Sequence, residues 1–347
     1  EGITAALALS PAATDNCTLA PNKVLVSDIT TADADCTNAY VRVRTWNFTD
    51  GCGNTSANFV QTITVIDNTA PVVTTTAASL NQTLQCNNTE GITAALALSP
   101  AATDNCTLAP TKVLVSDVTT ADANCTNAYV RVRTWNFTDG CGNTSANFVQ
   151  TITVIDNTAP VVTTTAASLN QTLQCNNTEG ITAALALSPA ATDNCTLAPT
   201  KVLVSDVTTA DANCTNAYVR VRTWNFTDGC GNTSANFVQT ITVIDNTAPV
   251  VTTTAASLNQ TLQCNNTEGI TAALALSPAA TDNCTLAPNK VLVSDVTTAD
   301  ANCTNAYVRV RTWNFTDGCG NTSANFVQTI TVVDETLPIV TNAVASL

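Results

Sequence analysis

The chain repeats itself almost letter for letter every 89 residues, and that period limits what it can fold into. The segment EGITAALALSPAATDNC opens at Glu1 and returns at Glu90, Glu179 and Glu268. Few positions change between copies: Asn22 becomes Thr111, Ile29 becomes Val118 and Asp35 becomes Asn124. Such a period is too long for a helical solenoid repeat and suits one small β domain with its own core. The chain therefore reads as roughly four domains in tandem. One active site gains nothing from three near-identical neighbours. A rod or fibre gains length from them, and a weak contact gains avidity.

Composition narrows the partners. Against 26 acidic residues stand only 12 basic ones, three per repeat (Lys23, Arg42 and Arg44 in the first), giving a net charge of −14. That balance argues against nucleic acid or an anionic membrane as partner, and leaves divalent cations or plain solubility as its reason. No apolar run approaches the ~18 residues of a membrane helix, so no membrane insertion is expected of this segment. The chain starts within a repeat and carries no signal peptide, so it reads as a window on a longer array. Histidine is absent, which removes histidine-based triads, and no enzyme is expected. Paired carboxylates exist, but a glycosidase needs one groove rather than four copies.

Fifteen cysteines recur at four positions per repeat, Cys17, Cys36, Cys52 and Cys86 in the first cycle. With no histidine and no CxxC pair, zinc is a poor fit, and disulfides in an oxidising, extracellular setting are the better one.

IDNTAP, Ile66 to Pro71, is polar and turn-rich and reads as the joint between domains. The expected boundaries are 1–66 for a partial sandwich lacking its first strand. Complete sandwiches follow at 67–155, 156–244 and 245–333, and 334–347 holds a linker and the first strand of another domain. Within the second unit SLNQTLQC alternates, with Leu80, Leu84 and Cys86 on one face. Further strands are expected through Ala101 and Ala102 towards Cys106, from Lys112, over Tyr129 to Phe137, and in SANFVQTITV, where Phe148, Ile152 and Val154 share a side. In YVRVRTWNF both faces carry apolar residues, so either face can be the core. Short alternating strands with turn signals between them make the fold class all-β, tandem immunoglobulin-like sandwiches stacked end to end.

Tracing strands alternately up and down puts Cys86 and Cys125 at one pole and Cys106 and Cys141 at the other. The expected bridges are therefore 86–125, 106–141, 175–214, 195–230, 264–303 and 284–319. In the truncated first unit Cys17 pairs with Cys52, and Cys36 is left over because its partner would precede Glu1.

The strings TDNC, RTWNFTDGCGN, QTITVIDNTAP and LQC resemble the HYR-type, immunoglobulin-like repeats of large secreted surface proteins of Bacteroidota, including gliding-motility adhesins. The likeness runs through all four copies. It implies a β-sandwich, export to the cell surface (often by the type IX route), and roles in adhesion or extracellular fibres. No catalytic residues come with it. Many such domains carry a cysteine in the last strand, where this chain has Phe148 and Val149.

Two kinds of ligand are expected candidates. The trace gathers Asp28, Asp33 and Asp67 at the exit pole of one unit, and Asp104, Asn105 and Asp139 at the entry pole of the next. Oxygen ligands converging on a joint suit Ca²⁺; the same residues also serve turns and strand ends. Asn-x-Ser/Thr occurs at Asn16, Asn47, Asn54, Asn81 and Asn87, which reads as glycan acceptors or as a plain Asn/Thr-rich composition. A lysine–asparagine isopeptide is not expected, since cysteines supply the cross-links. The leading expectation is an extracellular, disulfide-stapled rod or filament whose partners are copies of itself. The alternative is the stalk of a surface adhesin that recognises host or cell-surface glycans.

Overall fold

The computed structural model describes residues 2–341. It is mostly β, and each sequence repeat is a structural repeat. The second repeat serves as the pattern. Its elements are β1 (Val72–Val73), α1 (Ala77–Leu80), β2 (Gln82–Gln85), α2 (Thr89–Ala97), β3 (Ala102–Thr103), β4 (Thr111–Ala121), β5 (Tyr129–Thr138) and β6 (Phe148–Ile155). One four-stranded sheet has the order β2-β6-β5-β4, and β1 pairs with β3 in a two-stranded ribbon. β2 lies parallel to β6, with Leu84 beside Val154, while β4–β5 and β5–β6 are antiparallel. The third and fourth repeats have the same order. The first has a three-stranded sheet of Asn22–Ala32, Tyr40–Thr49 and Phe59–Val65, with a helix at Gly2–Ala8.

The chain forms two compact units, each described by itself. The first holds Glu1–Thr158 with Asn194–Leu197 and Asp228–Asn232; the second holds Ala159–Asp193, Ala198–Thr227 and Thr233–Leu347. The first therefore contains two repeats plus two loops of the third, and the second contains the rest.

Burial decides which face of β5 is core. Trp135 and Phe137 are buried, and Val130 on the opposite face is exposed. Trp135 packs with Phe148 and Leu80, while Ala95, Ile152 and Val154 form a second cluster with Leu84, Ile92 and Tyr129 at its edge. Arg133 lies on the core face with its guanidinium 4.5 Å from the Trp135 ring, a cation–π contact. Arg131 forms a two-pronged pair with Asp117 of β4, at 2.7 and 2.8 Å.

One local expectation is corrected, and one helix is added. Leu80 stands in a single helical turn, and the strand begins only at Gln82. EGITAALAL, moreover, is largely helix. Asn88 caps it by accepting from Gly91 N at 2.9 Å, Glu90 sits in the first turn where the helix dipole favours it, and alanines fill the interior. The first strand expected of a further domain in 334–347 is not seen over 334–341, which has neither helix nor strand; 342–347 lie outside the described residues.

The helix is fastened by a buried glutamine. Gln150 has no exposed surface, and its Nε2 donates to Leu80 O at 2.9 Å and Ala95 O at 3.1 Å. Its Oε1 accepts from Arg133 Nη1 at 3.3 Å. One side chain thus joins the central strands to α1 and α2. Replacing it by leucine (Gln150→Leu) strands two buried carbonyls, a loss of about 2 kcal/mol. Native-state hydrogen exchange should read this as roughly thirtyfold faster exchange over residues 80–97; unchanged exchange would remove glutamine's role as fastener.

Candidate functional site: the joints between repeats

The loops at the ends of the sheet are built by aspartates that fold the backbone around their own side chains. In the TDNC loop, Asp104 Oδ2 accepts from Cys106 N at 2.8 Å and Thr107 N at 2.7 Å. In the TDGCGN turn, Asp139 Oδ1 accepts from Cys141 N and Asn143 N, and its Oδ2 from Asn143 Nδ2 at 2.7 Å. Burial opposes ionisation of Asp139, yet these hydrogen bonds, led by the Asn143 side chain, hold its carboxyl below the usual range. Gly142 takes φ 86°, a conformation that favours glycine.

Within the first unit these two loops of the second repeat meet the exit loop of the first, which carries Cys36 and Asn38. Thr37 N donates to Gly140 O at 3.4 Å, Asn38 Nδ2 donates to Cys106 O, and Asn143 Nδ2 donates to Asp67 O at 3.1 Å. The approach is so close that a Cβ on Gly140 would stand 2.7 Å from Thr37 Oγ1. Also in that unit, Asn127 Nδ2 donates to Cys195 O and Asn232 Nδ2 to Asp156 O. In the second unit Asn216 meets Cys284 and Asn321 meets Asp245 in the same way.

Disulfides complete the contact. The bonded pairs are Cys36–Cys141, Cys86–Cys195, Cys125–Cys230, Cys175–Cys284 and Cys214–Cys319. Every one joins a repeat to the next, and the spans are 105 or 109 residues. The expected pairings 86–125, 106–141, 175–214, 195–230 and 284–319 are thereby corrected, as is the idle Cys36. Cysteines that share a pole, such as Cys86 and Cys125, both face the neighbouring repeat instead of each other. Among the described residues Cys17, Cys52, Cys106, Cys264 and Cys303 are free, so the expected 17–52 and 264–303 bonds are absent too.

The predicted calcium ligands separate into two groups. Asp67, Asp104 and Asp139 converge, each offering an oxygen within 4.8 Å of the others. Asp28 does not join them: mid-strand, it pairs with Arg42 at 2.7 Å and with Arg44 at 3.7 Å. Those pairs, led by the Arg42 hydrogen bond, hold its carboxyl below the ordinary range. Asp33 shapes the exit loop by accepting from Asp35 N, and Asn105 turns its Nδ2 to Cys106 Sγ. The GlyCysGly spacing of TDGCGN was the overlooked signal: one glycine admits the neighbour and the other makes the turn.

Residues 2–65, 74–154, 163–243 and 252–332 each match the HYR-like domain with 4 cysteines. The chain belongs to that family. The four HYR-like domains account for most of the sequence, and their four cysteine positions are those that bridge the joints. No curated protein matched the chain. Among solved structures, the sialic acid binding region of a Streptococcus sanguinis SK1 adhesin, bound to 3'sLn, aligns over 78% of this chain and 79% of its own at 12% identity. Its TM-score is 0.18. No helix among the described residues is long and apolar enough to cross a membrane.

Non-reducing digestion and mass spectrometry should therefore recover fragments joining LQC to TDNC and TTADANC to TDGCGN. Recovery of LQC joined to TTADANC would overturn the bridging of neighbours.

Proposed function

We propose that these HYR-like repeats form an extracellular structural element, a covalently clamped rod or filament exported to a bacterial cell surface, whose work is mechanical. The observation that carries this reading is the route of the covalent bonds. Cys125 and Cys141 flank β5, and Cys36 and Cys52 flank its equivalent Tyr40–Thr49. Because Cys36 is bonded to Cys141, and Cys125 to Cys230, the central strands of successive sheets are spliced in series. The route advances one repeat for every 16 residues, Cys125 to Cys141. A second route runs through Cys86–Cys195 and Cys175–Cys284, with 20 residues between Cys175 and Cys195.

Tension is carried along the shortest covalent route. Sixteen residues fully stretched reach about 55 Å, whereas 89 residues without cross-links reach about 300 Å. A clamped repeat can unfold without lengthening the molecule by more than a small fraction of its contour. Five disulfides also suit an oxidising, extracellular setting.

Filament formation has support of its own. β4 lies at the sheet edge with Val113, Leu114, Val115 and Val118 exposed, and the same apolar edge recurs in every repeat. Exposed edges of this kind pair with other chains, and a copy of this chain presents the same edge at the same spacing.

Pulling single oxidised molecules by atomic force microscopy tests the mechanical reading. No step should add more than about 55 Å per repeat, and steps several times longer should appear after reduction. Steps of about 250 Å in the oxidised protein would sink it.

A further inference from the structure

We propose that each joint holds a divalent cation, calcium by its oxygen ligands, between the linker aspartate of one repeat and the entry-loop aspartates of the next. The sites are built on Asp67, Asp156 and Asp245. The inference goes beyond the mechanical reading and does not rest on it.

The fourth repeat's joint, inside the second unit, shows the problem the cation solves. Asp245 is 7% exposed and Asp317 8%, so both carboxylates are more than nine-tenths buried. Their ligand oxygens lie within 4.8 Å of one another. Asp245 Oδ1 accepts from Thr247 N at 3.2 Å, but its Oδ2 is buried and has no hydrogen-bond partner. Asp282 Oδ1 and Asn283 Oδ1 are buried without partners as well. Asp317 accepts from Cys319 N, Asn321 N and Asn321 Nδ2, which leaves Asp245 Oδ2 as the buried oxygen without a partner beside a second carboxylate, and that is costly unless a positive charge stands near.

Arginine is committed elsewhere: Arg42, Arg131, Arg220 and Arg309 pair with Asp28 and its equivalents Asp117, Asp206 and Asp295. The lysines are turned to serines, Lys290 Nζ donating to Ser277 Oγ.

The arrangement recurs at the other two joints. At the first joint Asp67, Asp104 and Asp139 stand within 4.8 Å, and Asp104 Oδ1 is again buried and unpartnered. At the second, Asp156 and Asp228 approach in the same way. A hard cation that takes six to eight oxygens at variable geometry fits carboxylates and an amide oxygen drawn from separate loops, with water completing the shell.

Equilibrium dialysis of the full oxidised chain against 1 mM radioactive calcium tests this. Binding should approach three ions per chain, and fall by one in Asp245→Asn. Asp282→Asn, whose side chain keeps its size, should weaken the same site at least tenfold. Disulfide mapping of both variants shows whether the joint has formed. No calcium retained by the unaltered chain, or three ions still bound by a correctly bridged Asp245→Asn, would overturn the proposal. Extension under force reports on the disulfide route separately.

Discussion

The bond between an exit-loop cysteine and the next repeat's entry-loop cysteine is the constraint that the rest of the structure serves. Cys125 and Cys141 can reach different neighbours only because β5 stands between them as a spacer of fixed length. The other parts hold that spacer straight and its ends exposed. β4 and β6 pair with it on either side, and Trp135 and Phe137 anchor it to the core. At its end, the aspartate-wound TDGCGN turn aims Cys141 outward, and Gly140 lets Thr37 come near enough for the sulfurs to meet.

Charge is divided accordingly. With three cations per repeat, two are arginines committed to the sheet, where Arg131 holds Asp117 and Arg133 covers Trp135 and reaches Leu96 O at 2.8 Å. The acidic excess therefore falls on the loops. The net charge of the chain is a property of its joints more than of its sandwiches.

Much of this was legible from residue order. The period gave the number of domains, alternation placed Phe148, Ile152 and Val154 on one buried side, and absent histidine left disulfides as the use of cysteine. The trace even set Cys86 and Cys125 at a common end. What it could not give was the partner. In a tandem array every cysteine has a counterpart 89 residues away in an identical setting, so spacing cannot distinguish a bond within a repeat from one between repeats. Only the distance across the joint decides, and that depends on the glycine at position 140. EGITAALAL escaped because its helix depends on a cap, Asn88, that also fits a loop. Asp28 lies mid-strand rather than at a pole because its strand runs for eleven residues, Asn22–Ala32.

The splitting of each joint between two copies bears on how such an array changes over time. No repeat contains a complete joint; it carries one half of two. A substitution at Thr37 or Gly140 in a single copy must fit an unaltered neighbour, so variation confined to one copy is disfavoured while replacement of one copy by another is harmless. Insertion or removal of whole 89-residue units regenerates every junction with its chemistry intact. Length is then free to vary between lineages, and the near-identity of the copies is what keeps it free.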